Sequence, residues 1–237
     1  MKKIKVNIVV PSLVQGGGPR VIFSYANYLV KQGHDVVVYV PILYTWPKVR
    51  NGKINWKTSV GNFLRGNKLR WFDNKFKIKL IFKISDFYIR DSDIIMATAW
   101  QTAQSVYNLA DSKGKKVYFI QGYEVNDEDT NKIEVEDSYK LGMNMFTITN
   151  WLEELISSVS EQKVKVIHNW TRDEEFIREE KQINNPRSII MLGNTAIHKG
   201  WSLGLEILKK AQEKYNCRII LYGVRQIPDL PESFEFY

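Results

Sequence analysis

Three consecutive glycines, Gly16, Gly17 and Gly18, follow a short apolar run that ends at Val10, and they precede a segment with helical spacing. Glycine has no Cβ, so the backbone N–H groups of such a loop can approach a phosphate, and the start of the following helix adds a favourable dipole. The loop lacks both the G-x-G-x-x-G spacing of dinucleotide-binding folds and the Gly-Lys-Ser/Thr of nucleoside-triphosphate P-loops. Phosphate binding is therefore one interpretation of this loop, and a plain tight turn is the other.

A second turn of the same kind covers residues 193–200 (GNTAIHKG), again between an apolar run and a segment with helical spacing. Lys199 stands beside the predicted start of that helix, where an ammonium group could pair with a diphosphate. A solvated lysine at a helix start is the alternative.

The elements that must position these turns alternate along the chain. Residues 5–10 form a β-branched run typical of a buried strand. The following helix is predicted to have Pro19 as its first residue and to end at Gly33, before a second strand at 35–41. Further strands are predicted at 94–96, 116–120, 145–149 and 163–167, with helices at 102–110, 134–142 and 151–158. This alternation predicts an α/β fold with a doubly wound parallel sheet.

Residues 75–84 (KFKIKLIFKI) fit two periods, because they alternate as in a strand and also place apolar residues on one helical face. The interpretation leans towards a helix, since the next strand follows at once at 94–96.

The pattern restarts after a charged segment that ends in Asn-Asn-Pro at 184–186. A strand at 189–192, a helix at 201–215 and a strand at 218–222 predict the first βαβ part of a second Rossmann-like domain. We therefore expect a first domain at 1–172, a linker at 173–186 and an incomplete second domain at 187–237, since a parallel sheet needs both faces covered.

The composition is that of a globular protein: 237 residues, 44% apolar and 25% charged, which excludes disordered and low-complexity classes. The single Cys217 excludes an intrachain disulfide. Nothing approaches eighteen consecutive apolar residues, so a span of the bilayer is not expected. A cytoplasmic location is expected, with a peripheral position at the inner face of the membrane as a further possibility.

The net charge of +8 is unevenly distributed. Residues 42–90 hold twelve Lys or Arg and two acids, so this aromatic-rich insert carries +10 while the remainder carries −2. Basic and aromatic residues together fit an anionic membrane or acceptor, with a solvated face as the alternative and single-stranded nucleic acid as the least expected partner. The candidate contacts of this basic patch are Lys75, Lys77, Lys79 and Lys83.

The opening of the chain resembles a known family. The residues PSLVQGGGPR at 11–20, followed by GHDV at 33–36, resemble the first motifs of GT-B-fold glycosyltransferases of family 4, with Pro19 where that family has Glu. Residues 166–170 (VIHNW) are similar to the family's V-I-P-N-G. The turn at 193–200 is similar to its G-R-L-x3-K-G, with Asn194 in place of the arginine that helps to hold the donor diphosphate.

Three further segments resemble bacterial polysaccharide glycosyltransferases, including rhamnosyltransferases: 97–103 (ATAWQTA), 118–124 (YFIQGYE) and 150–152 (NWL). The resemblance implies a retaining glycosyltransferase that takes a nucleotide-sugar donor and needs no metal or other cofactor. It implies sugar transfer to a glycan or lipid-linked acceptor in cell-surface polysaccharide assembly. The donor, the sugar and the acceptor stay open.

The resemblance also implies roles for individual residues, while the catalytic residues stay unknown. The donor-phosphate contacts would be Gly16, Gly17, Gly18, Asn194 and Lys199, and the acceptor or sugar contacts would be Trp100, Gln121, Tyr123 and Glu124. The family's E-x7-E motif does not occur in the second domain, so this chain alone is expected to be inactive. The alternative is a non-catalytic acceptor- or membrane-binding subunit of a split glycosyltransferase.

Overall fold

A computed structural model describes residues 2–42, 69–126, 131–171, 187–195, 199–223, 227 and 230–237. The predicted linker at 173–186 and residues 43–68 of the basic insert lie outside the described residues. The chain divides into two compact units, Met1–Trp170 and Thr171–Tyr237.

The first unit is built on a seven-stranded sheet with the order β3-β2-β1-β4-β5-β6-β7, in which every pairing is parallel. The strands are β1 (Lys5–Val9), β2 (Asp35–Pro41), β3 (Lys77–Ile81), β4 (Ile94–Ala97), β5 (Lys115–Ile120), β6 (Asn144–Thr147) and β7 (Lys165–Val166). β1 is central, and its residue Val6 pairs with Val36 on one side and with Ile94 on the other.

Helices cover both faces of this sheet. On one face α1 (Gly17–Lys31) buries Ile22, Phe23 and Ala26. On the other lie α2 (Trp100–Tyr107), α3 (Lys132–Tyr139) and α4 (Asn150–Ser160). Single turns of 3₁₀ helix occupy Asp111–Lys113 and Glu124–Asn126. The predicted doubly wound α/β fold is thus confirmed. Among the described residues, no helix is both long enough and apolar enough to cross a bilayer.

The two ends of α1 follow backbone rules in different ways. At its end Gly33 has φ +87, and the amides of Gly33 and His34 donate to the carbonyls of Val30 and Leu29, which is the Schellman arrangement. At its start the prediction was off by two residues, because α1 begins at Gly17 and Pro19 is its third residue. Proline is tolerated there because the first four N–H groups of a helix have no partner within the helix.

The helix favoured at 75–84 is wrong, because residues Lys77–Ile81 form β3. This strand pairs in parallel with β2, and its exposure alternates over the first four residues, with Lys77 and Lys79 exposed and Ile78 and Leu80 partly buried. The two periods could not be separated locally, and pairing with a neighbouring strand decided between them.

Arg90, the last basic residue of the predicted insert, is partly buried and is bonded to residues of the first unit. Its guanidinium donates to the Asp35 carboxylate at 2.6 Å and to the side-chain oxygen of Asn7 at 3.1 Å, and Asn7 is fully buried. The hydrogen bond from Arg90 holds the pKa of Asp35 below its usual value. The positive charge of Arg90 is therefore paired within the first unit and contributes little to a basic surface.

The second unit contains a three-stranded parallel sheet with the order β10-β9-β8. Its elements are β8 (Ser188–Leu192), α5 (Trp201–Tyr215), β9 (Arg218–Tyr222) and β10 (Phe234–Phe236). The strand β10 was not predicted. Leu208, Ile219 and Leu221 form the buried cluster beneath α5, whereas Ile190 of β8 is 64% exposed.

We expect Asp35→Asn to lower the free energy of unfolding by about 2 kcal/mol at neutral pH, because it leaves Arg90 without its carboxylate partner. The lowered pKa of Asp35 makes this contribution complete above about pH 4 and progressively lost as the pH falls below that value. Below pH 4, the free energy of unfolding measured with urea should therefore fall more steeply with falling pH for the wild type than for the variant. Glu154→Gln, at an exposed position of α4, is the control. Equal pH profiles for wild type and Asp35→Asn would contradict this account.

Candidate functional site

The carboxyl ends of β1 and β4 mark the point where the sheet order reverses. β1 continues into α1 on one face of the sheet, whereas β4 continues into α2 on the opposite face. Neighbouring parallel strands whose connections leave in opposite directions create a crevice at their carboxyl ends, where α/β proteins bind ligands. Thr98 closes the base of this crevice, since its buried hydroxyl donates to the Val9 carbonyl at 2.8 Å.

The glycine loop lies at this crevice, at the start of α1. The positive-φ glycines among the described residues are Gly33, Gly114, Gly142 and Gly200, so no residue of the loop needs a left-handed backbone. A Cβ added to Gly17 would meet no atom of the described residues within 4 Å. The amides of Gly17 and Gly18 precede the hydrogen-bonding ladder of α1, which leaves them without a partner in the helix. The loop therefore has room and donors for an anion.

Gln121, just past the end of β5, reaches the start of α1. Its side-chain nitrogen lies 3.6 Å from the point where a Cβ on Gly18 would stand. Because β4 separates β5 from β1, this amide crosses the crevice from the far side. The structure thus brings Gln121 together with the glycine loop, at one place on the carboxyl edge.

Glu124 and Trp100 also lie together, but their contact is internal. The Glu124 Oε2 atom accepts the backbone N–H of Trp100 at 2.9 Å and the Tyr118 hydroxyl at 3.3 Å. The carboxylate thereby caps the N-terminus of α2, where negative charge is favoured. The Trp100 side chain is 5% exposed, and burial raises the pKa of Tyr118 well above its usual value, so that this phenol stays a donor.

Tyr123 connects the same loop to α3. Its hydroxyl donates to Glu136 at 2.6 Å, and burial together with this carboxylate raises the pKa of Tyr123 to about 12. The hydrogen bonds of Tyr123 and Glu124 both tie the loop after β5 to neighbouring helices. Of the four residues predicted to contact acceptor or sugar, Gln121 lies beside the glycine loop, within 4 Å of a Cβ added to Gly18.

Sequence reasoning missed Thr98, Tyr118 and Glu136. Thr98, just after β4, and Tyr118, within β5, stand inside the segments that carry the resemblance, but a buried hydroxyl has no sequence signal of its own. Glu136 falls in an acidic stretch that composition alone presents as solvated, whereas its side chain is 21% exposed. Among the residues the structure describes, no three His, Cys, Asp or Glu side chains come together as metal ligands.

The second glycine turn lies at the carboxyl end of β8. Asn194 is exposed two residues after the strand, and Lys199 is exposed just before α5, while residues 196–198 lie outside the described part of the chain. A Cβ on Gly193 would stand 2.8 Å from the Phe236 ring, and Gly200 has φ +68. These two glycines are therefore required by the packing and the backbone of the second unit itself.

No family model matches this chain, and no curated protein matches it in sequence. Solved structures do match its fold. The structure described as TarM superposes with a TM-score of 0.66 at 8% identity, over 100% of this chain and 76% of that one. An alpha-glucosyltransferase in complex with UDP-glucose and DNA matches with a TM-score of 0.57 at 13% identity, over 96% of this chain and 59% of that one.

A third match is UGT89C1 of Arabidopsis thaliana, complexed with UDP-L-rhamnose, with a TM-score of 0.52 at 12% identity, over 100% of this chain and 70% of that one. Two of these neighbours are described as complexes with a nucleotide sugar, UDP-glucose in one and UDP-L-rhamnose in the other. The chain shares their α/β fold. At such low identity the likeness concerns the fold alone, and this chain spans between 59% and 76% of the length of these three neighbours.

We expect Glu124→Ala to lower the free energy of unfolding by about 2 kcal/mol, because it removes a helix cap and leaves the buried Tyr118 hydroxyl without its carboxylate. Tyr118→Phe alone should cost less. In the double variant the two losses should not add, since both remove the same hydrogen bond. Chemical unfolding of the four proteins measures this coupling, and strict additivity would show that the carboxylate acts independently of Tyr118.

Proposed function

We propose that the first unit of this chain is the acceptor-side domain of a glycosyltransferase and that the second unit belongs to its donor side. In this proposal a sugar moves from a nucleotide-activated donor to a glycan or lipid-linked acceptor in cell-surface polysaccharide assembly. Transfer is of the hexosyl or rhamnosyl type, proceeds with retention and needs no metal. The observation that carries the proposal is the glycine loop, where Gly17 and Gly18 present amides at a crevice although nothing in the fold requires glycine there.

The chemistry follows from where charge develops. When the bond between sugar and phosphate breaks, negative charge grows on the leaving diphosphate, and fixed donors aimed at that oxygen stabilise the transition state. The amides of Gly17 and Gly18 at the N-terminus of α1 are such donors. Lys199 and Asn194 of the second unit are the other proposed donor-phosphate contacts, where they would supply a charge and a hydrogen bond.

The roles of the remaining candidates divide by their contacts. Gln121 would contact the ligand, because its amide lies over Gly18. Glu124 would act as a positioning residue, since its carboxylate is engaged with α2 and with Tyr118. Trp100 and Tyr123 would support the same loop from within the unit.

A second candidate is a non-catalytic subunit of a split glycosyltransferase that binds an acceptor or a membrane. The exposed lysines of β3 favour it, because they lie on the edge strand of the described sheet, outside the crevice between β1 and β4. A measurement of nucleotide binding distinguishes the two candidate functions, because the glycosyltransferase is expected to bind a nucleotide and the non-catalytic subunit is not.

Calorimetric titration with UDP, UDP-glucose and ADP tests the proposal, and we expect at least one of them to bind. Gly17→Ala should lower that affinity at least about tenfold, because the new methyl group fills the space for the phosphate. The free energy of unfolding should stay equal or rise by up to about 1 kcal/mol, since alanine fits the backbone of Gly17. Lys199→Ala should also weaken binding.

Matched variants at the far ends of the same helices are the controls. Gly33→Ala should lower stability by about 1 kcal/mol through its positive φ and leave nucleotide affinity unchanged. Lys214→Ala, in the last turn of α5, should change neither property. If none of the nucleotides binds, or if Gly17→Ala binds as the wild type does, the donor-phosphate role of this loop is wrong.

A further inference from the structure

One edge of the first sheet carries exposed lysines beside exposed phenylalanines. Among the described residues, β3 is the last strand of the sheet on this side. Lys77 and Lys79 are exposed, while Ile81, which shares their face by alternation, is buried. We call this region the β3 edge surface, and its members are Lys77, Lys79, Phe82, Lys83 and Phe87.

The chain after β3 stays on the face that carries these lysines. Ile81 belongs to one buried cluster with Ile84 and Ile89, so residues 82–88 run between anchored positions on that face. Phe82 and Phe87 stand between these buried isoleucines and are 51% and 88% exposed. The phenylalanines and the lysines therefore share one surface.

The charge of this surface has little direct compensation, because Lys77 acts electrostatically on the Asp35 carboxylate but that carboxylate is already paired with Arg90. Lys75, also predicted for the basic patch, forms an ion pair with Asp73 at 2.7 Å and is left out of the surface for that reason. No acidic side chain of the described ranges forms an ion pair with Lys77, Lys79 or Lys83. The acid within the segment is Asp86, whose carboxylate accepts the Ala110 N–H at 2.9 Å.

We propose that the β3 edge surface docks on a membrane rich in anionic lipid. The lysines would lie at the headgroups, and the phenylalanines would enter the boundary between headgroups and acyl chains, where apolar surface leaves water. Lysines on an edge strand also prevent sheets from pairing edge to edge, but that role does not account for two exposed phenylalanines. A soluble polyanion would neutralise the lysines and leave these rings in water.

The docking surface adjoins the ligand crevice. All seven strands are parallel, so Phe82, which directly follows β3, lies on the same carboxyl edge as the glycine loop, with β2 between β3 and β1. Docking would thus hold that edge near the bilayer and favour a lipid-linked acceptor. The choice of acceptor rests on the proposed glycosyltransferase function, whereas the docking itself does not.

Flotation of the full chain with vesicles tests the docking without any nucleotide. Binding is expected to vesicles of about seven parts phosphatidylcholine to three parts phosphatidylserine, and not to phosphatidylcholine alone. Since each lysine near such a surface contributes about fivefold to binding, Lys77→Glu/Lys79→Glu should weaken it about 25-fold or more. Phe82→Ser/Phe87→Ser should weaken it while leaving its dependence on the anionic fraction.

The matched control for the charges is Lys163→Glu/Lys165→Glu, two exposed lysines at β7 on the opposite edge of the same sheet. Ile133→Ser, at a residue that is 68% exposed on α3, is the apolar control. Circular dichroism must show all variants folded. Equal loss in both lysine pairs, equal binding to both vesicles, or no binding overturns the proposal. Binding to a single-stranded oligonucleotide that weakens in both the lysine and the phenylalanine variants, without vesicle binding, replaces it with nucleic-acid docking.

Because the vesicle assay contains no donor and the calorimetric assay contains no lipid, the two proposals fail separately. If Gly17→Ala loses nucleotide binding but still floats with vesicles, the substitution affects the ligand crevice and not the β3 edge surface. Loss of flotation in Lys77→Glu/Lys79→Glu with intact nucleotide binding concerns the β3 edge surface alone.

Discussion

The first unit depends on a single constraint at its centre. β1 is hydrogen-bonded to β2 on one side and to β4 on the other, and Ile8 and Val9 are fully buried on its two faces. Because both edges of β1 are paired, the connection from β1 to β2 crosses one face of the sheet. The connection from β4 to β5 crosses the other face. The crevice, the free amides at the start of α1 and the capped start of α2 all follow from that divergence.

Two glycine turns with the same pattern of strand, glycine and helix arise for different physical reasons. Gly193 is crowded by Phe236, and Gly200 occupies a left-handed conformation, so glycine is required there by the second unit itself. Neither reason applies to Gly17, which is open and has ordinary backbone angles. A glycine that the fold does not need is the better indicator of a ligand, and the first turn is therefore the stronger candidate site.

Charges also divide into those that serve the interior and those that face outward. Arg90 counts towards the basic excess, yet it is bonded to Asp35 and Asn7. Glu124 counts towards an acidic stretch, yet it caps α2. Once such internal charges are set aside, Lys77 and Lys79 of the edge strand β3 are among the exposed positive charges that form no ion pair within the described residues. Net charge describes a chain, whereas the chemistry of a surface depends on which charges have partners nearby.

The sequence by itself determined the alternation of strands and helices, because buried strands and amphipathic helices leave periods that neighbouring residues display. It also determined the glycine loop, the helix end at Gly33 and the boundaries of α5. Only tertiary structure decided β3, whose period fits two elements, and β10, whose three residues have no measurable period. The hydrogen-bond partners of Glu124 could not be predicted from its sequence neighbours either. Trp100 lies 24 residues away and contacts the carboxylate only because β4 and β5 pair. The periodicity of apolar residues indicates which face of a segment is buried. A site, by contrast, forms from side chains that are distant in the sequence and that only the pairing of strands brings together.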